Sequence, residues 1–232
     1  MIFKNVKSLS VPEGVVTRIT SGGVILWKNS NSNYQDIYQK VDYITSSGTQ
    51  YIITDFIADN QSGMELIASF PTILDRVPMG SRLDSGTTRF YVPYPMSDTS
   101  CYYGFNTGST LSFSASTNTK YQLQTNFCNN RKVRMYTEGT LILPPTNIST
   151  TLTQQTSPVG IFVYTKGAGG VGAPRAFDLY GAKISQGSEV VREYIPCYRK
   201  SDNVVGVYEI YTNTFLTNSG SGEFEIGNEI DW

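Results

Sequence analysis

Short segments of strand character recur along the chain, with turn residues between them, and none has the i, i+3, i+4, i+7 apolar spacing of a helix. The clearest predicted strands are residues 121–124, 140–143, 160–165, 176–184, 190–195, 204–211 and 224–226. Pro144, Pro196 and Gly227 follow three of them directly, where a strand is expected to end. Closely spaced strands without intervening helices predict an all-β fold, in which two antiparallel sheets stack as a jelly-roll sandwich.

The composition bounds the partners of such a domain. The 232 residues are 39% hydrophobic and 16% charged, which favours a buried core over disorder. A net charge of −1 without a basic block argues against nucleic acid as a partner. No apolar run reaches the roughly 18 residues of a membrane span, and the N-terminus lacks the apolar region of a signal peptide. We therefore expect neither a membrane partner nor classical export.

The first 28 residues predict a small unit separate from the rest. Its strand-like segments are residues 5–11, 15–20 and 24–27. The Gly22-Gly23 pair before the third segment is a β-hairpin signal. Three short strands cannot enclose a core, so we expect the unit to dock on another surface. The predicted division is an anchoring hairpin unit at 1–28, a polar linker at 29–40 and the jelly-roll domain at 41–232.

The absence of histidine restricts the chemistry, because it removes the commonest general base and transition-metal ligand. Cys101, Cys128 and Cys197 have the spacing of neither a disulfide framework nor a zinc knuckle, which indicates free thiols. What remains for catalysis is carboxylate, Lys or Tyr chemistry, or a metal held by oxygen ligands.

Two motifs resemble functional sites but lack the required context. Residues 167–172 spell GxGxxG, yet Pro174 and a predicted strand follow where dinucleotide binding requires a helix, so we expect a strand-connecting loop. Glu229-Ile230-Asp231-Trp232 resembles the start of the catalytic motif of concanavalin-like β-glucanases. The chain stops before a second Glu, so we expect a solvated acidic tail.

Several aspartates could in principle supply oxygen ligands to Ca²⁺. They are Asp55, Asp59, Asp84 and Asp98. Their spacing follows no ligand pattern, and turn aspartates are the simpler interpretation. We therefore predict no cofactor, no metal site and no catalytic residue, with Ca²⁺ as the one ion that these residue types suit.

Aromatic residues are concentrated at 89–95 and 101–105, in stretches broken by Pro and Gly. Tyrosine rings can stack on the C–H faces of sugars while polar neighbours bond the sugar hydroxyls. Filling of the sandwich core is the alternative explanation for any single ring. The predicted ligand-binding residues are Arg82, Asp84, Tyr94, Tyr102 and Tyr103.

Near the end of the chain, Gly, Pro and aromatic residues follow one another in a distinctive order. They lie within residues 176–184, 191–197, 206–209, 215, 218–224 and 227. This order resembles the closing section of concanavalin-A-like (laminin-G-like) jelly-roll domains of phage and prophage structural proteins and of gut-bacterial surface proteins. Residues 43–54 resemble the opening of those domains and Gly80-Ser81-Arg82 a central triplet, so the resemblance covers residues 41–228. Glu209, Ile53 and Asp55 depart from the pattern.

The first 28 residues resemble a second unit, one that phage tail-region proteins often carry. The matching residues are Val11-Pro12-Glu13-Gly14, Val16-Thr17, Ile19-Thr20, Gly22-Gly23-Val24 and Leu26-Trp27. In both resemblances the matched positions imply architectural roles. For folding we therefore single out Pro196, Gly206, Phe215 and Gly222, the last through a positive φ.

Together the resemblances imply a non-enzymatic virion protein of a bacteriophage tail, baseplate or capsid surface. Its lectin-like domain would attach to bacterial surface glycans, while residues 1–28 contact other virion proteins. We expect a homo-oligomer or multicopy component, assembled in the host cytoplasm. Two alternatives stay open: a purely architectural decoration or spacer protein that contacts only virion proteins, and a polysaccharide hydrolase on the same fold, which would need a pair of facing carboxylates.

Overall fold

The computed structural model describes residues 18–21, 24–28, 34–73, 76–83 and 88–232. Within them lie one short helix, α1 (Tyr34–Ile37), and two 3₁₀ turns, Phe127–Asn129 and Gly167–Gly169. The strands are β1 (Arg18–Ser21), β2 (Val24–Lys28), β3 (Tyr38–Lys40), β4 (Ile44–Ser46), β5 (Ile52–Ile53), β6 (Ser62–Ser69), β7 (Met79–Arg82), β8 (Arg89–Ser97), β9 (Ser100–Ser112), β10 (Lys120–Thr125), β11 (Lys132–Thr137), β12 (Thr140–Asn147), β13 (Gly160–Ile161), β14 (Val163–Lys166), β15 (Gly170–Val171), β16 (Phe177–Gln186), β17 (Glu189–Arg199), β18 (Val205–Glu209), β19 (Thr214–Thr217) and β20 (Glu225–Ile226).

Two large sheets are stacked as a sandwich. The eleven-stranded sheet has the order β12-β11-β10-β6-β16-β17-β18-β19, with β4 beside β16, β20 beside β4 and β3 beside β17. The seven-stranded sheet has the order β15-β14-β7-β13-β5, and β8 and β9 continue it from β7. Strand pairing is antiparallel except between β14 and β7. The predicted fold class is thus confirmed.

Alternation along the strands explains the core. In β6, Met64, Leu66 and Ala68 are fully buried, and they pack in one cluster with Phe90 and Val92 of β8 from the other sheet. Since successive strand residues point to opposite faces, each sheet contributes every second residue to this layer. The other residues of β8 and β9 form the outer face of the seven-stranded sheet.

Part of the first 28 residues lies within the described ranges. β1 and β2 pair antiparallel, as expected for the two strands of a hairpin. The predicted strand 5–11 lies outside the described residues. The predicted linker at 29–40 is wrong in its second part, because β3 pairs with β17 and Lys200 donates its backbone N–H to Ile37.

Three predicted strand limits are also wrong. β12 continues through Pro144. It is an edge strand, so one of its sides forms no strand-to-strand hydrogen bonds, and a residue without a backbone N–H is tolerated there. β17 also continues through Pro196. On one side of β17 the partner changes from β16 to β3 at this residue, so no backbone N–H is needed there for a ladder hydrogen bond. The predicted strand 160–165 is broken at Phe162, where φ is 68° and the chain turns from antiparallel to parallel alongside β7.

The remaining local predictions can be compared directly. Residues 167–172 form the turn and short strand of the β14–β15 hairpin, with no helix following, as expected for a connecting loop. All three cysteines are free.

Glu229 and Asp231 are exposed, but the tail is held in place: Trp232 donates its indole N–H to the Tyr38 carbonyl at 3.1 Å. None of the helices in the described ranges combines the length and apolar character needed to cross a membrane.

The positions singled out for folding have identifiable contacts. Gly222 has a φ of 73°, the left-handed conformation that was expected there. A Cβ on Gly206 would overlap the carbonyl oxygen of Leu216 on the adjacent strand. The half-buried Phe215 ring lies 4.8 Å from that of Tyr38.

Candidate functional site

A cleft of about 490 Å³ lies on the outer face of the seven-stranded sheet. Its volume is within the range of roughly 300–1,000 Å³ that is typical of small-ligand sites. Four tyrosines line it: Tyr91, Tyr94, Tyr102 and Tyr164. Three arginines lie among them: Arg76, Arg82 and Arg89. Val77, Met96 and Ala173 complete the lining.

A β-bulge brings two of the tyrosines to the same face. Tyr91 pairs with Gly104 and Tyr94 with Tyr102, so β8 has one more residue than β9 over this interval. Regular alternation would turn Tyr94 toward the core, but the extra residue returns it to the outer face. Tyr91 and Tyr94 thus belong to an outer cluster separate from the main core.

Small residues leave room for the rings. A Cβ on Gly80 would lie 2.6 Å from Cδ1 of Tyr91, closer than packed atoms allow. A Cβ on Gly108 would overlap the hydroxyl of Tyr102. Both glycines are therefore needed for the observed positions of the rings beside them.

The arginines pack against the tyrosines. The guanidinium carbon of Arg82 lies 4.7 Å from the centroid of the Tyr164 ring. Arg89 donates a hydrogen bond to the Tyr102 hydroxyl, and its guanidinium carbon lies 5.7 Å from the same ring. Cation–π contacts of this kind hold a guanidinium flat against a ring, so that its edge carries the donor groups.

A fourth arginine supports the cleft from below. Arg175 is fully buried, with its guanidinium carbon 4.5 Å from the Phe70 ring centroid and 5.7 Å from that of Tyr94. Its Nη1 donates to the carbonyl oxygen of Arg76 at 2.5 Å. Arg175 thus connects the core, a ring of the cleft and the backbone at the cleft rim.

The electrostatics of the cleft are cationic. Burial raises the pKa of the Tyr91 hydroxyl, against the opposing effect of the charges on Arg82 and Arg89. Tyr91 is therefore a neutral hydrogen-bond donor at physiological pH. In the part of the chain that the structure describes, the ion pairs are Lys183–Glu193, Arg192–Asp55 and Arg199–Asp202, and none includes an arginine of the cleft.

The structure brings three of the five predicted site residues together, since Arg82, Tyr94 and Tyr102 all line the cleft. Tyr103 is directed to the opposite face of β9 and packs against the main core. Asp84 lies outside the described residues. Three further residues of the cleft, Arg76, Tyr91 and Tyr164, were not predicted from the sequence. Glycines close to the aromatic stretch were the one signal, because glycine leaves space for a neighbouring ring.

Two other hollows are less distinctive. One of about 530 Å³ is lined mainly by Ser and Thr beside Phe113 and Tyr121, and one of about 460 Å³ lies between residues 202–205 and 217–224. Neither has an arginine or a group of tyrosine rings in its lining.

Two of the aspartates considered for Ca²⁺ have other partners. Asp55 accepts from Arg192 at 2.9 Å, and Asp59 accepts from Gln186 at 2.8 Å. Among the residues with described positions, no three Asp, Glu, Cys or His side chains are grouped so as to hold a metal ion.

No family model matches the sequence, and a search of curated proteins finds no match. Among solved structures, the fold is similar to that of a protein from Bacteroides ovatus ATCC 8483 described as a candidate carbohydrate-binding protein, with a TM-score of 0.53. The two sequences are 12% identical, and the match covers 83% of this chain and 62% of the other. This chain thus spans less than two thirds of that protein's length. At this identity the similarity shows a shared all-β sandwich and nothing finer.

Proposed function

We propose that the protein binds carbohydrate in the cleft on the outer face of the seven-stranded sheet, without turning it over. The observation that carries the proposal is the convergence of four tyrosines and three arginines in one open cleft. Aromatic rings with adjacent hydrogen-bond donors match the alternating C–H and hydroxyl surfaces of a sugar. The carbohydrate-binding description of the Bacteroides ovatus protein, on a similar fold, is consistent with this.

The cleft is better suited to binding than to hydrolysis. Retaining glycosidases need two carboxyl groups about 5–5.5 Å apart, and inverting ones a wider pair. The described lining of this cleft contains tyrosine and arginine and no carboxylate. A role as a non-enzymatic binding domain is therefore the simplest account of the site.

The setting that we propose is a phage particle, in which this domain attaches to bacterial surface glycans. The support is the resemblance of residues 41–228 to phage jelly-roll domains and of residues 1–28 to a tail-protein unit. Residues 1–28 would contact other virion proteins and hold several copies together. Many weak sites on one particle multiply the effective affinity, so a shallow cleft is sufficient.

A binding experiment tests the proposal. The protein, multimerised on beads, is offered to host-envelope polysaccharides, and retention is compared for Tyr102→Ala and Tyr136→Ala. Tyr136 is a half-buried tyrosine on β11 of the other sheet, so the same substitution there serves as the control. We expect Tyr102→Ala to abolish retention and Tyr136→Ala to preserve it. Equal retention by both variants would show that the binding site lies outside the cleft. If the unaltered protein were not retained, the proposal of carbohydrate binding would be wrong.

A further inference from the structure

We infer that the saccharide bound in this cleft is anionic, carrying carboxylate or phosphate groups on its sugars. This inference rests on the proposed function and narrows it to a ligand class. A neutral polysaccharide would need rings and hydroxyl partners alone. The cleft supplies three guanidinium groups in addition.

The first argument is charge. The whole chain carries a net charge of −1, whereas Arg76, Arg82 and Arg89 face one cleft. Elsewhere in the described residues, Arg192 pairs with Asp55 and Arg199 with Asp202, whereas Arg175 donates to a backbone carbonyl oxygen. Within the same described ranges no carboxylate lies within 4.0 Å of a cleft arginine. The charge that the described residues give this cleft is therefore positive, which suits a ligand carboxylate or phosphate.

Second, N–H groups of the cleft arginines are available, within the described part of the chain, as hydrogen-bond donors to a ligand. A guanidinium has five N–H donors. Arg89 uses Nη1 toward the Tyr102 hydroxyl, and Arg76 uses Nη1 toward the Pro174 carbonyl at 3.1 Å. Arg82 Nε is buried and has no hydrogen-bond partner among the described residues. Because the bonds to described residues use one donor of Arg76 and one of Arg89, the described part of the cleft leaves donors for charge-assisted and bidentate hydrogen bonds to an anion.

The third argument is preorganisation. Arg82 lies on Tyr164 and Arg89 on Tyr102, so the cation–π contacts hold the guanidinium groups before a ligand arrives. Each of these two guanidinium groups thus lies beside a tyrosine ring of the cleft. A sugar ring stacked on a tyrosine therefore brings its acidic substituent beside an arginine.

Nucleic acid is the other polyanion to consider, and the observations favour saccharide. Nucleic-acid binding requires a basic track along the backbone, whereas these arginines are confined to one cleft of about 490 Å³. The other basic residues of the described surface include Arg192 and Arg199, which are neutralised by aspartates.

Calorimetric titration of the full chain tests the inference. The probes are an oligogalacturonate, its carboxyl-reduced neutral counterpart, a mannose-6-phosphate oligosaccharide, inorganic phosphate and a single-stranded oligonucleotide. Each is titrated into the unaltered protein, Arg82→Gln and Arg134→Gln. Arg134 lies on β11 of the other sheet and gives a matched charge control.

We expect an acidic oligosaccharide to bind at least about tenfold more tightly than the neutral one, a preference that weakens as salt rises. Arg82→Gln should reduce the preference for the acidic over the neutral oligosaccharide, and Arg134→Gln should preserve that preference. Which acidic probe binds more tightly distinguishes carboxylate from phosphate. Equal binding of neutral and acidic probes overturns the anionic ligand but leaves carbohydrate binding. Preference for the oligonucleotide or for phosphate alone overturns this inference, and binding of no saccharide overturns the proposed function as well.

Discussion

Tyr94 and Tyr102 lie opposite each other on β8 and β9, with ring centroids 5.9 Å apart and ring planes inclined by 55°. The pair forms an aromatic corner of the cleft, supported by Arg89 above Tyr102 and by Arg175 beneath Tyr94. Because both rings are held by cationic neighbours, little side-chain freedom remains to be lost when a ligand binds.

Adjacent tyrosines on β9 should respond differently to truncation. Tyr102 lines the cleft, whereas Tyr103 packs against the main core. Tyr103→Ala should lower the free energy of unfolding by about 2–3 kcal/mol, because it leaves a cavity against the core. Tyr102→Ala should cost less stability but abolish saccharide binding. Urea unfolding and binding measurements on both variants check this; a larger loss of stability for Tyr102→Ala would contradict the assigned faces.

Gly108 offers a test that leaves every tyrosine in place. A Cβ at this position would overlap the Tyr102 hydroxyl, so Gly108→Ala should displace the ring and weaken saccharide binding about tenfold or more. Thr110→Ala, at an exposed position two residues further along the same strand, is the control and should bind normally. Binding affinities of the two variants are compared by calorimetry. Normal affinity in Gly108→Ala would show that the position of the Tyr102 ring does not matter.

Glu209 should prove important for folding rather than for binding. Its buried carboxylate accepts backbone N–H groups of Glu193, Tyr211 and Thr212, at 2.9, 3.0 and 2.6 Å. In Glu209→Gln one oxygen becomes a donor facing an N–H, so we expect a loss of about 1–3 kcal/mol in the free energy of unfolding. Chemical denaturation measures the loss. Unchanged stability would mean that this turn does not depend on the carboxylate.

The Asp55–Arg192 pair should give a small stabilisation that depends on pH. Hydrogen bonds from Arg192 hold the pKa of Asp55 below its usual 3.8, with burial opposing. The contribution is therefore complete above that usual value and is lost as the pH falls through the lowered one. Because the Asp55 side chain is 55% exposed, Asp55→Asn should cost only about 0.5 kcal/mol at neutral pH. Unfolding curves for both proteins should converge in strong acid; a gap that widens there would contradict the assignment.

Two glycines with positive φ allow the cost of backbone strain in an alanine variant to be measured separately from the cost of a steric clash. Gly222 and Gly139 have φ of 73° and 76°, but only Gly222 has a neighbour that a Cβ would meet closely, Gln50 Nε2 at 2.8 Å. Alanine at Gly139 should cost about 1 kcal/mol through φ alone, and alanine at Gly222 more. Thermal unfolding of the two variants ranks them. A smaller loss at Gly222 would mean that the Gln50 amide moves aside freely.

Strand character and turn residues are local properties, so the sequence predicts the sandwich and most of its strands. The sequence does not predict where a strand changes its partner. The predicted end of β17 at Pro196 was therefore wrong, because the strand changes partner there and continues. The site was predictable in part, since Tyr94 and Tyr102 belong to a visibly aromatic stretch. Their common face depends on a bulge, and the positions of Arg175 and Tyr164 depend on contacts between distant segments. Neither is encoded in local spacing.

The most direct measurement maps the ligand onto the protein by NMR. Backbone amide shifts are followed while an acidic oligosaccharide is titrated into the full chain. We predict that the shifts concentrate in β7, in the outer-facing residues of β8 and β9 and at Tyr164, and that Tyr102→Ala removes them. Shifts concentrated on the outer face of the eleven-stranded sheet, or around residues 217–224, would contradict the assignment of the cleft as the binding site.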